Sequence, residues 1–116
     1  MQLNHFDLAV PDLDAAVDFF ENGFGFKVVN SFDNMRILVG DGPFVLALTR
    51  CAEPRYPDSF HIGFLQGSPE AVTQTYERLR AAGIEAQAPP AHMYGAFIFY
   101  CRVPGGILVE IAHRPA

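Results

Sequence analysis

The two halves of the sequence follow the same residue pattern when one half is displaced by 56 positions along the other. His5 then lies over His61, and the strand-like segments around these two histidines coincide. In the same alignment Phe20-Glu21 lies over Tyr76-Glu77. Identity between the halves is low, but the order of predicted elements agrees. An internal repeat of this kind predicts that the chain is built from two units of one structural plan.

The first half predicts a strand, a helix and three further strands. Residues 2–10 alternate between apolar and polar side chains, which is the pattern of a half-buried strand. Pro11-Asp12 then begin a helix that runs to about Asn22 and ends at Gly23 and Gly25. The three following strands are predicted near 26–32, 34–39 and 43–49.

The second half repeats this plan after a proline-containing linker over 50–58. A helix is predicted to begin at Ser68, with Pro69 in its first turn, and to end at Gly83. The predicted strands lie near 59–66, 84–88, 96–102 and 107–112. The chain is thus interpreted as one domain over 1–116, made of modules at about 1–50 and 59–116.

Composition excludes several classes of protein. A net charge of −5, with the basic residues scattered, argues against a nucleic-acid partner. No apolar run approaches the ~20 residues of a membrane span, and no signal segment is visible, so we expect a cytoplasmic protein. Cys51 and Cys101 form neither a metal-ligand pair nor a disulfide framework, and both are predicted to be reduced thiols, with Cys101 buried in a strand.

The order strand, helix, three strands, found twice, resembles the paired βαβββ modules of the vicinal oxygen chelate superfamily. This superfamily includes glyoxalase I, extradiol dioxygenases, fosfomycin-resistance thiol transferases and bleomycin-binding proteins. The resemblance covers essentially the whole chain, and its most specific segments are Asn4-His5, Val10-Pro11-Asp12-Leu13-Asp14, Phe60-His61-Ile62, and Pro104-Gly105-Gly106 running into Val109-Glu110-Ile111. It implies an α+β fold in which curved mixed sheets surround a metal cavity and the helices pack outside.

The resemblance also implies a metal site with the ligands His5, His61 and Glu110. The fourth ligand position of the superfamily falls on Ala47, which has no donor atom. The residue chemistry agrees, because a carboxylate in an apolar strand such as Glu110 is seldom buried without a partner. Two histidines and one carboxylate suit one divalent ion, Fe²⁺, Mn²⁺, Zn²⁺ or Ni²⁺. The alternative is a solvent-lined cleft with unrelated polar residues.

The missing fourth ligand argues against the four-ligand glyoxalase I activity. Few basic residues follow the last strand, which argues against fosfomycin resistance. The stretch before Glu110 resembles the extradiol dioxygenase signature, through His92, Tyr100, Pro104-Gly105-Gly106 and Glu110 itself. It departs from that signature at Pro90 and Val103. The resemblance implies that Tyr100 acts on a substrate oxygen as an acid or hydrogen-bond donor, and that His92 lines the pocket. Alternatively, Tyr100 recurs for structural reasons and His92 is a solvent-exposed loop residue.

Four further residues are candidates for contact with substrate: Asp7, Ala47, Tyr94 and Arg102. Asp7 shares a strand face with His5, although a solvent-facing aspartate is the simpler explanation. Arg102 is suited to an anionic substrate, and Tyr94 to an aromatic one, although exposed strand arginines are common.

These expectations combine into a small metal-dependent lyase, transferase or extradiol-type dioxygenase that binds a substrate with adjacent oxygens. The alternative is a non-catalytic antibiotic-binding protein of the bleomycin-resistance type. The expected partners are a small molecule and a second copy of the chain. The two copies would form a homodimer, either with exchange of modules between the chains or without it. No nucleic acid or membrane partner is expected.

Overall fold

The repeat in the sequence corresponds to two structural units with the same order of elements. A computed structural model describes residues 1–115, which divide into one unit over Met1–Arg55 and another from Tyr56 onward. Within the described residues each unit contains one helix and a four-stranded mixed sheet. The predicted α+β class and paired βαβββ plan are therefore confirmed. The single-domain interpretation and its linker remain predictions.

In the first unit the first and last strands are parallel neighbours, and the remaining pairs are antiparallel. The strand order across the sheet is β1-β4-β3-β2. The elements are β1 (His5–Val10), α1 (Leu13–Phe24), β2 (Lys27–Phe32), β3 (Met35–Val39) and β4 (Val45–Arg50).

The second unit has the same topology, with the order β5-β8-β7-β6 and a parallel pair formed by β5 and β8. Its other strand pairs are antiparallel. The elements are β5 (His61–Leu65), α2 (Pro69–Ala81), β6 (Ala91–Met93), β7 (Ala96–Arg102) and β8 (Leu108–His113).

Helix α1 begins and ends where its capping residues require. The side chain of Asp12 accepts a hydrogen bond from the Ala15 backbone N–H at 3.1 Å, which satisfies one of the unpaired donors of the first turn. Gly25 ends the helix in the left-handed conformation, with φ of 71°. The predicted end near Asn22 was therefore short, and Gly23 is a buried residue inside the helix.

Helix α2 is also capped at its N-terminus, by different residues. Ser68 Oγ accepts from the Ala71 N–H at 3.1 Å, and Pro69 occupies the first turn, where its missing N–H costs nothing. The helix packs on β7 and β8, where Tyr76 meets Phe99 in an edge-to-face contact with ring centroids 5.4 Å apart. One face of the second sheet is thus covered by α2.

The predicted strand near 84–88 was wrong. That segment forms only an isolated bridge between Ala86 and Cys101, and the fourth strand of the sheet, β6, lies further along the chain. Pro90 cannot donate to a strand ladder, which separates the two segments. Tyr94 and Gly95 have φ of 52° and 72°, the backbone of a tight hairpin turn that reverses the chain into β7. His92 therefore lies in β6 and not in a loop.

The remaining expectations concern the thiols and the membrane. Both cysteines are free, and Cys101 is fully buried in β7 as predicted. Burial raises the pKa of the Cys101 thiol to about 12. Between residues 1 and 115, neither helix has the length and apolar character needed to cross a membrane.

Candidate functional site

Glu110 is a carboxylate in the centre of the second unit's sheet. It lies on β8, an inner strand, opposite Gly63 of β5 and Tyr100 of β7. Its side chain is only 10% exposed. Glu110 and Thr75 are the buried polar residues among those that the structure describes, and Thr75 has an ordinary role as a donor to the Ala71 carbonyl of its own helix. The burial of Glu110 therefore needs a separate explanation.

The alternation of β8 places Glu110 on the sheet face opposite the helix-covered one. Its neighbours Val109 and Ile111 are fully buried on the other face. Gly63 leaves room for the carboxylate, since a Cβ added there would lie 3.3 Å from Glu110 Oε2. Glycine in a strand interior often marks such a close approach. The sequence contained this signal, but it was not used in the prediction.

The two oxygens of the Glu110 carboxylate have different partners. Oε1 accepts a hydrogen bond from Arg114 Nη2 at 3.0 Å, and the Tyr100 hydroxyl lies 3.5 Å from the same oxygen. Oε2 faces His61 Nε2 at 3.8 Å, a separation that is too long for a hydrogen bond. One oxygen is thus held by protein donors, and the other is directed toward an imidazole nitrogen.

His61 is held in one orientation by its other ring nitrogen. Nδ1 lies 2.9 Å from the Ser59 carbonyl oxygen, which can only accept, so Nδ1 must donate. In the neutral ring this leaves the lone pair on Nε2, the atom that faces Glu110 Oε2. Two electron-rich atoms at this separation are stabilised by a donor or a cation between them: a proton on the ring, a water molecule or a metal ion. The donor set of this pair fits a divalent metal ion.

Tyr100 borders the same carboxylate as a protonated phenol. Burial and the negative charge of Glu110 raise the pKa of its hydroxyl above the ordinary value. The ring packs against a cluster of buried apolar residues, Ala96, Ile98 and Ala112. At neutral pH the hydroxyl therefore carries a proton and can donate it in a hydrogen bond.

The predicted residues of the first unit lie on β1 and β4. His5 is exposed at the start of β1. Asp7 lies opposite Ala47 and accepts a hydrogen bond from the Thr49 hydroxyl at 2.7 Å. Ala47 is 2% exposed. No group of three or more His, Cys, Asp or Glu side chains within residues 1–115 is arranged to hold a metal ion. The ligand role of His5 therefore stays a prediction.

The other predicted residues of the second unit are His92, Tyr94 and Arg102. His92 pairs with Phe97, their ring centroids 4.9 Å apart, on the sheet face opposite that of Tyr100. Tyr94 is 83% exposed in the hairpin turn. Arg102 Nη1 donates to the Gly106 carbonyl at 2.7 Å. The structure thus gathers His61 and Tyr100 around Glu110, while the roles assigned to the other three residues stay predictions.

Arg114 is a site residue that the sequence analysis did not assign. It lies one residue beyond the end of β8, and its side chain reaches back to the Glu110 carboxylate. The spacing of Glu110 and Arg114 was visible in the sequence. Its meaning depended on knowing that Glu110 is buried.

Comparison with known proteins identifies the family. Residues 2–111 match the family model described as the Glyoxalase/Bleomycin resistance protein/Dioxygenase superfamily. An uncharacterized protein of Pseudomonas aeruginosa is 30% identical, with 96% of this chain and 87% of that protein covered.

Solved structures agree with this match. A possible glyoxalase from Bacillus cereus has a TM-score of 0.85 and 34% identity, and 96% of this chain and 97% of that one are covered. A genomically encoded fosfomycin resistance protein from Listeria monocytogenes has a TM-score of 0.84, with 99% of this chain and 94% of that one covered; at 22% identity it shows the fold alone. The match along nearly the whole chain establishes that this protein belongs to the Glyoxalase/Bleomycin resistance protein/Dioxygenase superfamily.

Proposed function

We propose that the protein is a small metal-dependent enzyme whose divalent ion is held by His61 and Glu110, with His5 as a third ligand. The observation that supports this most is the approach of His61 Nε2 and Glu110 Oε2 to 3.8 Å, together with the Nδ1 contact to Ser59, which leaves the lone pair of the neutral ring on Nε2. Metal-ligating histidines commonly donate their other ring N–H to a backbone carbonyl, as His61 does to Ser59. Fe²⁺, Mn²⁺, Zn²⁺ and Ni²⁺ all suit such a donor set.

The proposed substrate is a small molecule with two adjacent oxygens. When bound, the ion supplies a Lewis acid that polarises a substrate oxygen. Tyr100 is suited to donate a hydrogen bond from its hydroxyl to such an oxygen in place of its long contact, 3.5 Å, with Glu110 Oε1. Asp7, Ala47, Tyr94 and Arg102 remain candidates for substrate contact, and His92 for a catalytic role.

The reaction class follows from the ligand count only in part. Ala47 offers no donor atom at the position of a fourth ligand, so the four-ligand glyoxalase I reaction is not the one proposed. A lyase, a transferase or an extradiol-type dioxygenase with three protein ligands remains, in line with a family whose members share a fold and differ in chemistry.

We also propose that the protein works as a cytoplasmic homodimer, with or without exchange of modules. The edge strand β2 exposes Val29 and Phe32, which are 58% and 55% exposed, and an apolar strand edge favours cover by another chain. Light scattering tests this directly, and a monomer at all concentrations would exclude it.

The decisive experiment is a metal titration that compares two histidines. His61→Gln should abolish calorimetric binding of Mn²⁺, Zn²⁺, Ni²⁺ and anaerobic Fe²⁺, whereas the unchanged protein should bind about one ion per chain. His113→Gln is the matched control, because His113 Nδ1 also donates to a backbone carbonyl, that of Gln66, and lies on the opposite face of β8 from Glu110.

Two results would contradict the proposal. Equal loss of binding in both variants would show that the effect is structural. No uptake of any of the four metals by the unchanged protein would favour the alternative, a non-catalytic antibiotic-binding protein, and a bleomycin titration would then test that role.

A further inference from the structure

Arg114 contacts the carboxylate at the oxygen that is remote from the imidazole. Its Nη2 lies 3.0 Å from Oε1, whereas His61 Nε2 lies 3.8 Å from Oε2. The guanidinium is part-exposed, at 44%, while the carboxylate that it reaches is 10% exposed. Arg114 therefore reaches inward from just beyond the end of β8, and its cationic head lies against one edge of a buried anion.

We infer that Arg114 is a positioning residue, which fixes Glu110 so that Oε2 alone is offered to the metal. This inference rests on the proposed metal site and adds to it the way in which the carboxylate binds. Carboxylates bind metals through one oxygen or through both. With Oε1 engaged by Arg114 and approached by the Tyr100 hydroxyl, the arrangement favours one.

The position of the guanidinium distinguishes this role from competition with the metal. A side chain that substitutes for the ion would lie between the two donor atoms, against Oε2 and Nε2. Arg114 instead contacts Oε1, so the space between His61 and Oε2 can accept a cation while Arg114 stays in place. A carboxylate that binds through one oxygen also leaves an additional coordination position for the two oxygens of the proposed substrate.

The test measures metal affinity and the coordination of the bound ion. Arg114→Ala should weaken Mn²⁺ binding about 10- to 100-fold, the range found when the hydrogen-bond partner of a metal ligand is removed. With Co²⁺, the visible absorption spectrum should change as the released Oε1 joins the metal. Arg114→Lys should recover part of the affinity and the original spectrum, because an ammonium group can also donate to Oε1.

Two controls identify the route of the effect. Arg80→Ala removes one positive charge from the same unit, on α2, where Arg80 lies over the Tyr76 ring at 5.4 Å. This variant should bind Mn²⁺ as the unchanged protein does. In a Glu110→Gln background, Arg114→Ala should cause no further loss, since Arg114 acts only through Glu110. Thermal unfolding confirms that each variant is folded.

The outcomes separate the two proposals. Tighter binding by Arg114→Ala would identify Arg114 as a competitor of the metal, and unchanged affinity and spectrum would show that it has no role; either result overturns this inference and leaves the metal site intact. Absence of metal binding by the unchanged protein would overturn the proposed function and this inference with it.

Discussion

The two units place their acidic residue at different positions in the same row of the sheet. In the first unit the row across β1, β4 and β3 is Asp7, Ala47 and Ile37. In the second unit the corresponding row across β5, β8 and β7 is Gly63, Glu110 and Tyr100. The acid thus lies on the edge strand in one unit and on an inner strand in the other.

The surroundings of the two acids explain why only one is a candidate ligand. The exposed Asp7 is satisfied by the Thr49 hydroxyl and needs no ion. The buried Glu110 has a guanidinium on one oxygen and an imidazole facing the other. The second row also depends on Gly63, because a side chain at that position would crowd Oε2. One fold thus carries a proposed metal ligand in one copy of the row and ordinary strand packing in the other.

Placing a glutamate in the first unit's inner strand should have the largest effect. In Ala47→Glu the carboxylate would be buried, at a position now 2% exposed, without the arginine that serves Glu110. Loss of about 3–5 kcal/mol of unfolding free energy is expected from an uncompensated buried charge. Urea unfolding without metal measures it, with Ala47→Gln as the neutral control of equal size. If Ala47→Glu lost no more stability than Ala47→Gln, a buried charge in the first row would cost nothing extra, and the absence of an arginine there would not distinguish the two rows.

Removing the acid from each row in turn sharpens the comparison. Glu110→Gln should weaken metal binding more than about 100-fold, since loss of a direct ligand exceeds the loss of its hydrogen-bond partner. Asp7→Asn should leave metal affinity nearly unchanged, because Asp7 is already paired with Thr49. Calorimetric titration of both variants decides the matter. Equal losses would mean that the first row contributes to the metal site as directly as the second.

A smaller effect is expected from adding a methyl group at the edge position of the second row. Gly63→Ala places a Cβ 3.3 Å from Oε2 and should displace the carboxylate by a few tenths of an ångström. Metal affinity should fall about 10-fold, with a stability loss of about 1 kcal/mol from overpacking. Gly67→Ala is the control, since a Cβ there meets no atom within 4 Å. Unchanged affinity in Gly63→Ala would show that the glycine is not required.

The smallest expected effect concerns the two thiols, one in each unit. Burial raises the pKa of the Cys101 thiol to about 12 in the folded state, whereas its ordinary value, which applies to the unfolded chain, is 9.0. Its contribution is therefore complete below pH 9 and declines as pH rises, by about 1 kcal/mol at pH 10. Unfolding between pH 8 and 10 should show this decline, and Cys101→Ala should reduce it.

In the folded protein a thiol reagent should modify the half-buried Cys51 much faster than the fully buried Cys101.

The repeat and the alternation of β1 were enough to predict the order of elements, because both record which side chains are buried, whereas the α+β fold was what the resemblance to the superfamily implied. The caps at Asp12 and Ser68 were equally readable, since each depends on local chemistry alone. The strand near 84–88 was misplaced because its apolar pattern is local, whereas the position of β6 depends on the hairpin at Tyr94 and on pairing with β7. A short run of residues does not determine which strand it pairs with in the sheet.

The candidate site was predictable only in part, for a related reason. Glu110 and His61 were chosen because the resemblance to the superfamily implies metal ligands at these positions. The face occupied by His92 and the contact made by Arg114 depend on strand register, which a single sequence does not fix. Gly63 was overlooked because a glycine in a strand indicates that another group approaches closely but does not identify that group.

The parallel pairing of β5 with β8 has a consequence for how the second unit forms. His61 and Glu110 stand at opposite ends of the unit's chain, so their meeting requires closure of a long loop that contains every other element of that unit. Contacts between such distant parts of a chain are slow to form. A cation held by both residues would bind the native unit and not the unfolded chain, and would raise the melting temperature by mass action. Cation binding would then be coupled thermodynamically to the folding of the second unit.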